Sequence, residues 1–252
     1  MNVIITLAGK SSRFKKAGIK KHKFLLPLSK KTTVISEILN NYDDDDNFHF
    51  VLTKSQKKKN LFLENYLKKL KKNIYINLID DHDYGPAYSA LNAKTCKNKN
   101  DIVISYCDFL IDWNYNKFKR EIFSYDFGIT SFKGFHPSSF SGTLYCYLKT
   151  INNEVINLRE KKSFTTKPHL ESASAGSYYF KDFGIFLHYA EMALKNKNFL
   201  KNFKEIYVSL LYLLVLKDSK KILNFEVDNF ISLGTPRDYK EFLSWKNFFN
   251  RY

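Results

Sequence analysis

Directly after an apolar run at Val3 to Leu7, the chain reads T-L-A-G-K-S-S-R-F over Thr6 to Phe14. Small residues at Ala8, Gly9, Ser11 and Ser12 let the backbone pass close to a ligand, and successive N–H groups in such a turn cradle phosphate oxygens. Leu7 and Lys10 complete the candidate cradle. Arg13 adds a planar, permanently charged fork of donors for outer phosphates. Ten residues on, Lys23 in H-K-F-L-L-P-L offers a point charge to the same oxygens. A Gly-containing turn with exposed basic residues is the plainer alternative, and spacing alone leaves both open. The loop is neither a G-x-x-x-x-G-K-[ST] nor a G-x-G-x-x-G motif.

Further along, Asp108 follows the strand-like run Ile102 to Ser105. A carboxylate there suits Mg²⁺, which takes one or two carboxylates together with phosphate oxygens and water; an exposed loop aspartate is the alternative. Asp112 stands four residues on, not two, so the D-x-D of many nucleotide-sugar glycosyltransferases is missing. Asp80, Asp81, His82 and Asp83 are adjacent in sequence, and adjacent residues rarely converge on one ion. Gly85 and Pro86 mark a turn into a helix that includes Ala87. By themselves Arg159-Glu160-Lys161-Lys162 and Ser174-Ala175-Gly176-Ser177-Tyr178 read as a surface charge cluster and a small-residue strand.

The elements that must position these residues are legible in the hydrophobic pattern. Strand-like runs at Val3 to Leu7, Phe48 to Leu52, Ile74 to Ile79, Ile102 to Ser105 and Phe127 to Ser131 alternate with helical patterns. The helices are expected from about Thr33, in a lysine-rich stretch striped by Leu63, Tyr66, Leu67 and Leu70, from Ala87, and near Lys117 to Phe123. That alternation implies right-handed βαβ units and an α/β fold with a Rossmann-like, mostly parallel central sheet flanked by helices. Ligands in such sheets bind beyond the carboxyl ends of the strands, where Ala8 to Lys23 and Cys107 to Asp112 fall. From Gly142 the pattern changes to strands at Thr143 to Leu148, Val155 to Leu158 and Ala175 to Phe180, expected as an antiparallel insertion over the sheet's open edge. Helices at Phe183 to Leu194 and Phe203 to Leu216, a strand near Ile222 to Val227 and a helix after Pro236 follow. The acidic run Asp43 to Asp46 is expected to be a helix-ending loop.

The order of these motifs resembles the sugar-phosphate nucleotidylyltransferases, with A-G-K-S-S-R and K-F-L standing where that family has A-G-x-G-x-R and a K-P-L-like stretch. R-F-K-K-A-G resembles its capsule-biosynthesis branch. The resemblance implies a GT-A type fold: a single domain over 1–252, with a nucleotide-binding half (1–135) and an acceptor-binding half (136–252). It implies transfer of a nucleotidyl group from an NTP, a pyrimidine and CTP first, to a small phosphorylated metabolite: a sugar 1-phosphate, a phosphorylated amino alcohol or an amino-acid phosphate. Pyrophosphate is released and Mg²⁺ is the cofactor. Arg13, Lys23 and Asp108 become catalytic; Leu7 to Ser12 and Gly85 to Ala87 bind nucleotide; Glu160, Lys161, Ala175, Gly176 and Glu205 face the acceptor. Phe230 to Tyr239 resembles the closing D-x-G-T-P-x-D segment, with Ser232 where many members place a metal-binding aspartate; either Asp228 or Glu226 substitutes, or the metal relies on Asp108, phosphates and water. Ser11 replaces a usual glycine and is costly if that position needs φ > 0.

The length of 252 residues and 44% hydrophobic content allow a sizeable core. A net charge of +16 raises nucleic acid as a rival partner. Most of the 41 basic residues are Lys scattered along the chain, however, as codon bias produces, so neither nucleic acid nor a membrane is expected. A GT-A nucleotide-sugar glycosyltransferase is the rival enzyme. Three cysteines without a C-x-x-C pair point to a reducing cytoplasm. The longest late apolar run, Ile206 to Leu216, is short of the about 20 residues that span a bilayer. Monomer and homodimer stay equally open.

Overall fold

The computed structural model describes residues 1–97, 99–134, 144–196 and 205–249. Among them, nine strands form one sheet in the order β3-β2-β1-β4-β9-β6-β10-β8-β7. These are β1 (Asn2–Thr6), β2 (Asn47–Thr53), β3 (Ile74–Ile79), β4 (Ile102–Ser105), β6 (Phe127–Phe132), β7 (Cys146–Ile151), β8 (Glu154–Glu160), β9 (Ser172–Phe180) and β10 (Ile222–Glu226). A separate two-stranded ribbon pairs β5 (Phe109–Asp112) with β11 (Asn229–Ser232). Thr143 and Phe203, expected to open a strand and a helix, lie outside the described residues, as does the junction at 135/136.

The expected run of parallel strands holds for β3-β2-β1-β4, where all five β1 residues are buried, as a strand covered on both faces requires. Beyond β4 the sheet is mixed: β9 runs antiparallel to both β4 and β6, β10 runs parallel to β6, and β8 runs antiparallel to β10 and β7. The physical reason lies in the composition of β9, S-A-S-A-G-S-Y-Y-F, whose nine residues are all buried. With no polar face to turn to water, this strand takes an internal place, so the insertion is the seam of the sheet and not a cover over its edge. The β7–β8 hairpin does extend the far edge, around Asn152 and Asn153 at φ 48° and 61°, the conformation of a tight primed turn.

Helices α1 (Ser12–Lys16), α2 (Val34–Leu39), α3 (Lys54–Lys59), α4 (Leu63–Leu70), α5 (Pro86–Leu91), α6 (Tyr115–Ile122), α7 (Phe183–Lys195), α8 (Val208–Lys217) and α9 (Pro236–Phe249) flank the sheet. The lysine-rich stretch divides into α3 and α4 at Asn60, and Lys71, directly after α4, is buried. Its ammonium meets the Tyr42 carbonyl at 2.9 Å and Asp44 at 2.6 Å. The acidic run is likewise more than a loop: Asp46 takes the Met1 ammonium and the Tyr115 hydroxyl, each at 2.9 Å, and Asp43 pairs with Lys119. Cys96, Cys107 and Cys146 are free and buried. Among the described residues no helix is long and apolar enough to cross a membrane.

Candidate functional site

The loop leaving β1 is held from below. Leu7 N–H donates to the Val51 carbonyl at 2.8 Å, and the Leu7 and Gly9 carbonyls accept from Gln56 Nε2 at 2.8 and 3.1 Å. Gln56 is buried at the third position of α3, where Thr53 and Gln56 form a capping box. Sequence reasoning missed Gln56, although T-x-x-Q at a strand-to-helix junction is a recognisable cap. These bonds also withdraw Leu7: it is buried, its backbone groups are engaged, and it does not line the cavity above. Ser11 sits at φ 51°, ψ 35°, the left-handed conformation that makes Ser costlier than Gly. Its hydroxyl accepts the Lys23 N–H at 3.3 Å, tying the two basic segments together. Arg13, in α1, is exposed and has no ion-pair partner among the described residues.

Lys23 and Asp108 meet at the centre. Lys23 Nζ lies 2.7 Å from Asp108 Oδ2, with both side chains largely covered. Burial alone would lower the lysine's pKa; Asp108 outweighs it, and the group is held above its ordinary value as a permanent ammonium. Burial pushes the neighbouring Cys107 thiol up to about 11, so it stays protonated and unreactive. A Cβ on Gly234 would stand 3.4 Å from Asp108 Oδ2, and one on Gly9 would stand 3.9 Å from Lys23 Cε. Glycine at these positions leaves the pair open to the cavity.

Two cavities share this junction. The first, about 350 Å³, is lined by Ala8, Gly9, Lys10, Ser11, Ser12, Gly85 and Pro86. The second, about 190 Å³, is lined by Glu160, Lys161, Ala175 and Gly176. Arg13, Tyr106, Asp108, Tyr207 and Gly234 face both. Lys10 pairs with Asp83 at 2.6 Å on the rim of the first. Gly85, at φ 91°, crosses the 205–207 segment so closely that a Cβ would lie 2.7 Å from both N and O of Ile206. Ala87 is buried, donates to the Ile206 carbonyl at 3.0 Å and does not line the cavity. Glu205 lines the first cavity, not the second.

Lys161 Nζ donates to Tyr207 Oη at 2.6 Å, and Glu160 accepts from Ser209 Oγ at 2.7 Å. Burial raises the Glu160 pKa. Gly176 is required by packing, since a Cβ there would fall 2.5 Å from the Phe109 ring.

Asp228 does not join Asp108. The β5–β11 ribbon pairs Ser232 with Phe109 and Asn229 with Asp112, so Asp228 lies beyond the far end of the ladder. Three register steps separate the two pairs, about 10 Å of strand. The ribbon, formed by four-residue strands with little periodic signal, brings Ser232 and Gly234 beside Asp108 instead: Leu233 N–H donates to the Asp108 carbonyl at 2.8 Å. Ser232 Oγ donates to Asp238 Oδ2 at 3.0 Å, and Asp238, which also caps the start of α9 through Thr235, lines the second cavity. Asp238 ends the closing segment recognised in the sequence but was given no place at the site there, although T-P-R-D fits a capping pattern. Among the described residues no group of three or more His, Cys, Asp or Glu gathers to hold a metal. Asp80, Asp81 and Asp83 turn to Lys54, Ser55 and Lys10 respectively. One carboxylate beside an open phosphate cradle, with the space that Gly234 leaves, fits Mg²⁺ better than a metal caged by protein ligands.

No protein-family model and no curated protein sequence matches this chain. Solved structures do. A nucleoside-diphosphate-sugar pyrophosphorylase from Vibrio cholerae RC9 superposes with a TM-score of 0.79 at 21% identity, covering 97% of this chain and 100% of that one. A putative glucose-1-phosphate thymidylyltransferase from Bacillus anthracis gives 0.74 at 15% identity, covering 97% and 94%. A UDP-glucose pyrophosphorylase complexed with UDP-glucose gives 0.74 at 14% identity, covering 98% of each chain. At such identities the likeness establishes the fold, the α/β fold of these nucleotidyltransferase structures over nearly the whole chain.

Proposed function

We propose that this protein is a nucleotidyltransferase. A phosphate oxygen of a small phosphorylated acceptor attacks the NTP α-phosphorus; the bond to the β-phosphate bridge oxygen breaks, and pyrophosphate leaves with the electron pair. The observation that carries this reading is the Lys23–Asp108 pair at the junction of two cavities, under a backbone cradle and beside the exposed Arg13. The half containing 1–135 supplies the nucleotide cradle, and the half containing 136–252 supplies most of the acceptor cavity. Arg13 neutralises the departing pyrophosphate, Lys23 the α- and β-phosphates, and Lys161 the acceptor phosphate. Catalysis is then positioning and charge neutralisation in a site arranged beforehand. Asp108 would hold Mg²⁺, which supplies charge neutralisation on phosphate oxygens.

The nucleotide is a pyrimidine, CTP first, and the product is an activated precursor for capsule or another surface polysaccharide. The capsule role rests on the R-F-K-K-A-G resemblance and the base on the family resemblance alone. The test is a screen of four NTPs against a panel of phosphorylated metabolites, with pyrophosphate as the readout. Turnover with one NTP and one acceptor class is expected. Absence of pyrophosphate from every pair, with tight binding of a nucleotide sugar, would overturn the proposal in favour of glycosyl transfer.

A further inference from the structure

Consecutive residues of an extended strand face opposite sides, yet Glu160, which ends β8, and Lys161, which follows it, line the same cavity. The backbone of Lys161 is the reason. Its φ is 55°, in the left-handed region, and its N–H donates to the Tyr145 carbonyl at 2.9 Å. That conformation is costly for any residue but glycine and persists where the surrounding structure imposes it. Here it brings a long, flexible side chain round to the side of Glu160. Lys161 Nζ then donates to Tyr207 Oη at 2.6 Å and lies 4.3 Å from the centroid of that ring. Hydroxyl and ring are neutral, so they fix the ammonium without cancelling its charge. The other charged groups lining this cavity are Arg13, Asp108, Glu160 and Asp238. The three carboxylates are engaged elsewhere: Asp108 with Lys23 at 2.7 Å, Glu160 with Ser209 Oγ at 2.7 Å, and Asp238 with Ser232 Oγ at 3.0 Å and the Thr235 N–H at 3.2 Å.

Tyr207 is itself fixed by the residues on either side of it. Ile206 donates its N–H to the Tyr84 carbonyl at 2.9 Å and accepts the Ala87 N–H at 3.0 Å, so it is tied to both flanks of Gly85 and Pro86 in the nucleotide cavity. Val208 donates its N–H to Tyr106 Oη at 3.0 Å, and the Tyr106 N–H donates to the Gly176 carbonyl at 3.1 Å. Tyr106 and Tyr207 both face both cavities.

We propose that Tyr207 is the positioning residue for Lys161: its hydroxyl and ring hold the ammonium at the junction of the two cavities, so that the charge meeting the acceptor phosphate stands at a fixed place relative to the bound nucleotide. The inference rests on the nucleotidyltransferase reading above. Without the Tyr207 hydroxyl the lysine stem is released to other rotamers, and the charge is present but not placed. The nucleotide cradle at Ala8 to Ser12 is untouched by that loss, so the two substrates respond differently.

The test compares wild type with Tyr207→Phe, Lys161→Ala and the double variant, using the NTP and acceptor found in the pyrophosphate screen. Tyr207→Phe is expected to lower kcat/KM for the acceptor about tenfold, the loss of one hydrogen bond to a charged group, and to leave the NTP KM and the urea midpoint at their wild-type values. In the Lys161→Ala background the same change is expected to cost nothing further, because the two residues act as one unit. A loss of the same size in both backgrounds, a rise of both KM values together with a lowered urea midpoint, or failure of Tyr207→Phe to fold makes the bond a structural clasp. Each of these outcomes, like an unchanged acceptor kcat/KM, overturns the positioning role and leaves nucleotidyl transfer standing. No pyrophosphate from any pair of substrates overturns both.

Discussion

Replacing Gly85 by alanine tests whether the nucleotide cavity depends on one close backbone crossing. Gly85 has φ 91° and ψ 179°, a region occupied almost only by glycine, and forcing an L-residue there costs about 1–3 kcal/mol. The added Cβ would also lie 2.7 Å from Ile206 N and O, which are backbone atoms and cannot rotate away. The 205–207 segment must therefore shift, weakening the Ile206-to-Tyr84 and Ala87-to-Ile206 bonds of 2.9 and 3.0 Å. Each is worth about 1 kcal/mol, bringing the total to about 3 kcal/mol or more. For a chain of this size that lowers Tm by roughly 6–12 °C. Gly134→Ala is the matched control, because Gly134 has a similar φ of 96° and a Cβ added there would meet nothing within 4 Å. Urea unfolding followed through buried Trp113 measures both. A Gly85→Ala loss no greater than that of the control, or below about 1 kcal/mol, would refute the crossing as a structural requirement.

Arg13→Ala and Asp108→Asn are each expected to reduce pyrophosphate release about 10²–10³-fold, with unfolding midpoints close to wild type; near-normal turnover in either removes that residue from its role. Gln56→Ala loses the bonds to the Leu7 and Gly9 carbonyls and is expected to cost about 2 kcal/mol and to raise the NTP KM, checked by urea titration and initial rates. His49 is buried with its ring nitrogens on Thr95 and Asn2, and burial lowers its pKa to about 4. Because the unfolded chain binds a proton that the folded one refuses, stability falls as pH drops from about 6.5 towards 4, by about 3 kcal/mol in all. His49→Gln should flatten that slope between pH 7 and 4.5, as measured by urea midpoints, and an unchanged slope would exclude His49 as its source.

The first half of the fold is written in its sequence because parallel strands covered on both faces are continuous apolar runs: Val3 to Leu7 and Ile102 to Ser105 need no partner to be recognised. The same run cannot report direction. Ser172 to Phe180 looks like any buried strand, and only the pairing with both β4 and β6 shows that it runs against them. At the site, Arg13, Lys23 and Asp108 are picked out by the order of motifs in the resemblance, because the spacing of the loop alone leaves a plain basic turn open. Gln56 is not, since its contribution is a pair of hydrogen bonds to carbonyls 49 and 47 residues away. Asp228 misled because proximity along the chain to Ser232 does not survive the ribbon, whose strand carries it away from Asp108.

The position of β9 bears on how the chain folds during synthesis. Its N-terminal neighbour β4 is complete by residue 105 and β6 by residue 132, yet the strand that joins them ends at Phe180. Until then both present fully buried, apolar strands with unpaired edges, the kind of surface that recruits other chains. Closure needs contacts between residues such as Ile102 and Phe180, far apart in sequence, which slows the final step. A fragment ending at residue 134 therefore keeps the loop and its arginine but not a closed sheet, and is expected to aggregate when expressed alone.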